Sequence, residues 1–242
     1  MTRRDFLITS SAFLTGTVVG EPVRSVVGGR SVYSDEEDLP YDSDIEYLES
    51  TGTQWINTGV YFTVKSRIHL WASVQDSSEN LALFGACNGA AYNNGEISLF
   101  VTGSSRPNTF TVVYPTSNTS STIISISTRI PFPIKTLLET EYDRTGYTIN
   151  GVKYACQWAS NYRGNRPCAL FSVNRSGGNG QYRSKIRVYR FLVEEDGVAL
   201  CDLRPVRITN QNGITEGVMY DSVTGGFCYN MGSGAFIVGP DI

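Results

Sequence analysis

The chain has 242 residues and a formal net charge of −3, with 40% hydrophobic and 18% charged residues; that is enough apolar mass for one large domain or two small ones, and too much for wholesale disorder. Its 24 glycines, 14 tyrosines and 11 phenylalanines favour strands and tight turns over helices, and no long stretch carries an apolar period of 3.6 residues. The slight acidity gives no electrostatic footprint for nucleic acid, and a single histidine, His69, excludes a multi-histidine metal centre.

Near the N-terminus, Thr2-Arg3-Arg4-Asp5-Phe6-Leu7 resembles the twin-arginine export motif, and a modestly apolar run containing Ser, Thr and Gly follows to Val19. That run is too short and too polar for a good bilayer span, so residues 1–30 read as a signal peptide, with an uncleaved anchor or a chance Arg-Arg as alternatives. The signal reading predicts an exported protein, periplasmic, surface-bound or secreted, with no membrane span in its mature form. Residues 31–44 are acidic and turn-rich without periodicity, as in a solvated linker, and the folded domain is expected over 45–242.

From Ile45 on, short strands and turns alternate, as in a sandwich or barrel. Ile45-Glu-Tyr-Leu-Glu leads through a turn into Gln54-Trp-Ile-Asn-Thr. Over 67–75 the alternation is clean: Ile68, Leu70, Ala72 and Val74 take one face, and Arg67, His69, Trp71, Ser73 and Gln75 the other. Further strands are expected over 81–87, 97–101, 110–114, 123–126 and 137–142, the last running into an Asp143-Arg-Thr-Gly146 turn. Asn150-Gly151 and Asp196-Gly197 each mark a tight hairpin, because a type I′ turn needs positive φ at both central residues. The C-terminal quarter adds a long strand, its return and two short aromatic strands. The chain is expected to be all-β.

Several separated stretches together resemble the concanavalin A-like (laminin-G-like) jelly-roll domains of bacterial and phage-associated proteins. They are Ile45-Glu-Tyr-Leu-Glu-Ser-Thr-Gly-Thr-Gln-Trp-Ile-Asn-Thr-Gly, Asp143-Arg-Thr-Gly, Ile149-Asn-Gly, Asp202-Leu-Arg-Pro-Val-Arg, Gly217-Val-Met-Tyr-Asp, Gly226-Phe-Cys-Tyr-Asn and Gly232-Ser-Gly-Ala-Phe. The resemblance covers about residues 45–240 and implies a two-sheet antiparallel jelly-roll sandwich, closed by pairing of the first strand (Ile45 to Leu48) with the last (Ala235 to Val238). It implies little about activity, since such domains include lectins, glucanases and structural modules.

Four constellations are candidates for chemistry. Glu139, Glu141 and Asp143 alternate on one strand, and alternate Cα atoms about 6.6 Å apart approach the carboxyl spacings of glycosidases; glucanases of this fold carry a similar acidic strand. A solvated outer face explains the same residues, as Asp143 opens a turn. Trp71 shares a face with Arg67 and His69 and is either a sugar-stacking ring or packed under a loop. Two loops are richer in binding groups: Asn88 to Gly95, with Tyr92 and Asn93, and Trp158 to Arg166, with Asn161, Tyr162, Arg163 and Asn165. Flat aromatic rings beside planar amide and guanidinium donors suit sugar recognition, and ordinary polar loops have the same composition. Finally, Cys156 and Cys168 bracket the second loop and are either bridged or buried thiols like the other three cysteines. No cofactor site is readable, and a structural calcium has no supporting Asp/Asn loop. These readings combine in an exported, non-catalytic binding module with glycan as the ligand the family implies. A structural or adhesive surface protein and a glycoside hydrolase using Glu139 and Glu141 are the alternatives.

Overall fold

The computed structural model describes residues 39–76, 81–89, 94–101, 109–127, 135–175 and 180–242. The expected signal peptide and most of the expected linker lie outside them. Among the described residues there is no helix, and none long and apolar enough to cross a membrane.

The chain passes repeatedly between two sheets in the jelly-roll manner. It starts in the larger sheet with β1 (Ser43–Asp44) and β2 (Leu48–Glu49), crosses to the smaller with β3 (Ile56–Thr63), and returns with β4 (Ser66–Val74). Four strands then fill the smaller sheet: β5 (Leu81–Cys87), β6 (Glu96–Val101), β7 (Thr109–Pro115) and β8 (Ser121–Ser127). The larger sheet receives β9 (Leu138–Asp143), β10 (Gly146–Ile149) and β11 (Val152–Ala155), and the smaller β12 (Arg163–Leu170), β13 (Val173–Asn174) and β14 (Gly180–Gln181). The strands β15 (Ile186–Glu195), β16 (Val198–Thr209), β17 (Thr215–Asp221), β18 (Gly226–Cys228) and β19 (Ile237–Val238) complete the larger sheet. Pairing is antiparallel apart from one parallel contact between Asn174 and Ala86.

Alternation sets what goes inside. On β4, Ile68, Leu70, Ala72 and Val74 are fully buried and pack with Val188, Phe191 and Val193 of β15 and Phe84 of β5. A bulge between Val188 and Arg190 keeps Phe191 opposite Leu70 and places Arg190 opposite Trp71. By contrast, every residue of β5 and β6 is buried, so these two strands of the smaller sheet are covered on both faces. Its outer face carries the apolar cluster Ala82, Cys87, Phe100, Val113 and Val173. It also carries a buried ion pair of Arg175 with Glu96, at 2.9 Å.

Both hairpin signals hold: Asn150 and Gly151 have φ of 47° and 80°, Asp196 and Gly197 50° and 80°. The expected closure also holds, with Leu48 opposite Val238 and Ile45 bridged to Asp241. The N-terminal boundary shifts, however. Ser43 and Asp44, assigned to the linker, form β1 against Arg207 and Val206, and Tyr41 packs on Tyr220 with ring centres 5.0 Å apart. Ser43 Oγ and Arg207 Nη1 both bond the Asp241 carboxylate, at 2.7 and 2.9 Å, which ties β1 and β16 to the segment after β19.

Candidate functional site

The acidic strand is the first candidate to change character. Glu139 and Glu141 do share a face of β9, opposite Trp71 and His69 of β4. Yet Glu141 Oε1 accepts hydrogen bonds from Arg67 Nε at 2.9 Å and lies 2.8 Å from Nη2, so it is already half of an ion pair. Asp143 Oδ1 is engaged by the Thr145 amide and hydroxyl and by the Gly146 amide. Burial raises the Asp143 pKa, but those hydrogen bonds outweigh it and leave the carboxyl below its usual range. A glycosidase needs one carboxyl held protonated and a second free beside it. Neither Glu141 nor Asp143 is placed for that work.

Trp71 changes too. The His69 ring stacks beside it at 5.9 Å and 12°, and the Arg190 guanidinium lies 5.3 Å from its centroid. Arg190 is held by Asp202 through two hydrogen bonds of 2.7 and 3.0 Å. The indole is thus engaged, half-buried, in a ladder of ring and guanidinium contacts across the sheet. Burial, the foremost cause, pushes the His69 pKa down despite the Glu194 carboxylate 3.4 Å away, so the imidazole is neutral at pH 7.

The largest correction concerns Trp158 and Tyr162, expected as ligand-stacking rings. They are 3% and 2% exposed. Trp158 meets Tyr142 edge-on at 5.1 Å and Tyr162 at 6.3 Å, all inside the sandwich. The physical reason is area: burying rings of this size outweighs leaving them in water wherever the loop can fold inward. The Tyr162 hydroxyl finds a partner there, donating to the Gly95 carbonyl at 3.1 Å. All five cysteines are thiols, so Cys156 and Cys168 do not bridge this loop.

That inward fold joins the two loops. Asn88 Oδ1 accepts from the Asn165 amide at 2.7 Å, while its Nδ2 donates to the Asn118 and Arg163 carbonyls at 3.1 Å each. Asn118 Oδ1 accepts from the Arg163 amide at 2.8 Å. Two glycines permit the close approach. Gly95 has a φ of +56°, and a Cβ there would collide with the Asn118 carbonyl. At Gly164 a Cβ would meet the Phe62 carbonyl oxygen at 3.0 Å, so β12 lies tight against β3.

The outcome is a recess of about 750 Å³ lined by Tyr61, Asn88, Asn118, Thr119, Arg163, Gly164 and Asn165. Tyr61 is 51% exposed on the outer face of β3. Among the described residues, the Arg163 guanidinium, the Asn165 carboxamide and Asn118 Nδ2 have no hydrogen-bond or ion-pair partner. Of the expected site residues, Arg163 lines the recess, whereas Asn161 is exposed and not in its wall. Tyr92 and Asn93 lie outside the described residues. Tyr61, Asn118 and Thr119 were not foreseen. A signal for Tyr61 existed, since it shares strand parity with Asn57, Gly59 and Thr63, opposite the buried Phe62.

A second groove, of about 660 Å³, lies on the other side of the same loop, lined by Val64, Arg144, Thr145, Gln157, Trp158 and Ser160, among others.

No family model matches the chain, and no curated protein matches it in sequence. Among solved structures it is similar to the CBM40 of the Ruminococcus gnavus IT-sialidase, at 12% identity and a TM-score of 0.38, over 63% of this chain and 87% of that one. It is also similar to the NanB sialidase of Streptococcus pneumoniae, at 13% identity and a TM-score of 0.41. That match covers 81% of this chain and 39% of the sialidase. Neither likeness carries a ligand or an activity over to this chain.

Proposed function

We propose that this chain is an exported, non-catalytic, concanavalin A-like domain that binds glycan in the recess of Tyr61, Asn88, Asn118, Arg163 and Asn165. One observation carries the reading: an exposed tyrosine ring sits beside amide and guanidinium groups in a recess whose frame is fixed by its own hydrogen bonds. A pyranose presents an apolar C–H face and a rim of hydroxyls, which suit a flat ring and planar donors and acceptors respectively. Because Asn88 and Asn118 tie three segments together, little ordering remains to oppose binding. Residues 1–30 direct export in this reading, and 31–38 lead into the sandwich. No carboxylate among the described residues lines the recess, which sets it apart from a hydrolase centre.

The test is a glycan array probed with the folded domain and with Tyr61→Ala. Glycans bound by the parent should weaken tenfold or more in the variant, at unchanged thermal stability. Undiminished binding in Tyr61→Ala would place the site elsewhere.

A further inference from the structure

Charge pairing over the surface is uneven. Arg67, Arg175, Arg187, Arg190, Arg204 and Arg207 are each within ion-pair distance of a carboxylate. Arg163 and Arg144 are exposed and, among the described residues, have no such partner. Each lines one of the two recesses, and among the described residues no carboxylate lines either; Arg144 also borders a further recess where Asp143, Glu194 and Asp196 are accompanied by Lys65 and Arg67, Lys65 being paired with Asp196. One loop separates the first two: Gln157, Trp158 and Ser160 wall the Arg144 groove, and Arg163, Gly164 and Asn165 wall the Tyr61 recess. The saddle between them is stiff. The Trp158 amide donates to the Arg144 carbonyl at 3.1 Å, the Ala159 amide to the Pro115 carbonyl at 2.9 Å, and the Val64 amide to the Tyr162 carbonyl at 3.0 Å.

We propose that the ligand is an acidic oligosaccharide, bearing carboxylate or sulfate groups, that crosses the Gln157–Asn165 loop with one anionic group at Arg163 and another at Arg144. This deepens the glycan reading above and rests on it. A guanidinium presents two parallel N–H donors to a carboxylate or sulfate, a geometry lysine lacks. Arg163 faces no carboxylate across its recess among the described residues, which favours an anion over a neutral sugar there, and Arg144 offers a second guanidinium on the far side of the loop.

The experiment uses an array holding uronate-containing, sulfated, sialylated and neutral glycans, followed by titration calorimetry of the bound glycans with the parent domain, Arg163→Gln, Arg163→Lys and Arg144→Gln. Acidic glycans should be the binders, and binding should fall as salt rises. Arg163→Gln should weaken every bound glycan tenfold or more, and Arg163→Lys should recover part of that loss. Arg144→Gln should weaken oligosaccharides but leave their terminal mono- or disaccharides unchanged. Thermal melts confirm that each variant is folded. Neutral binders insensitive to both arginines would overturn the acidic ligand while leaving the glycan reading intact. Loss in Arg163→Gln without any chain-length effect in Arg144→Gln would overturn the two-recess span. A folded domain that binds nothing on the array would overturn both readings.

Discussion

Tyr162→Phe separates a buried strut from a ligand contact. The substitution removes one oxygen and keeps the ring, so packing against Trp158 is preserved and only the hydrogen bond to the Gly95 carbonyl is lost. Stripping one partner from a buried pair costs about 1–3 kcal/mol. The bond is neutral and 3.1 Å long, which puts the expected loss near the lower end, about 1–1.5 kcal/mol. For a domain of this size that corresponds to a fall in melting temperature of about 2–6 °C. Urea denaturation followed by tryptophan fluorescence should show a lower midpoint at unchanged slope. Glycan affinity should drop a few-fold, because the Asn88–Gly95 side of the recess loses an anchor although the residue touches no ligand. Unchanged stability together with abolished binding would mean that the hydroxyl reaches the ligand, and the burial assigned to Tyr162 would be refuted.

Two further outcomes follow from the electrostatics. Burial raises the Asp202 pKa, but hydrogen bonds from Arg190 and Arg204 outweigh it and hold the carboxyl below its ordinary value. A depressed folded-state pKa contributes stability above the unfolded value of about 3.9, and loses it as pH falls from there through the folded value. Asp202→Asn should therefore cost about 1–2 kcal/mol near neutrality, discounted for the partly exposed arginines, and flatten the stability profile below about pH 4; an unaltered acid limb would contradict the assignment. The thiols give a chemical check: burial pushes Cys156 up to about 12 and Cys228 up to about 11. Native protein should react slowly with a thiol reagent at neutral pH, and unreduced protein in denaturant should release all five thiols of the chain. A count of three would reveal a bridge.

What could be read from the chain beforehand follows from the range of the forces involved. Asn150-Gly151, Asp196-Gly197 and the alternation of Ile68, Leu70, Ala72 and Val74 are local signals, and each led to the observed element. The β2–β19 closure was legible only because both ends carry recognisable motifs. Trp158 and Tyr162 sit in a segment without periodicity, where nothing local distinguishes a ring pointing to water from one folded beneath a loop. The recess itself joins Asn88 to Asn118, Arg163 and Asn165 over separations of 30, 75 and 77 residues, and only tertiary packing creates such a constellation. Composition pointed to two loops that contribute Asn88, Arg163 and Asn165 to the recess wall. The rings it named for stacking, Trp158 and Tyr162, are buried.

The most direct test of the glycan site is amide shift mapping by NMR while the array-selected glycan is titrated into the folded domain. The account predicts perturbations centred on Tyr61, Asn88, Asn118 and Arg163–Asn165, with the large sheet undisturbed. Perturbations confined to Trp71, Arg190 and Tyr220 on the outer face of that sheet would contradict it.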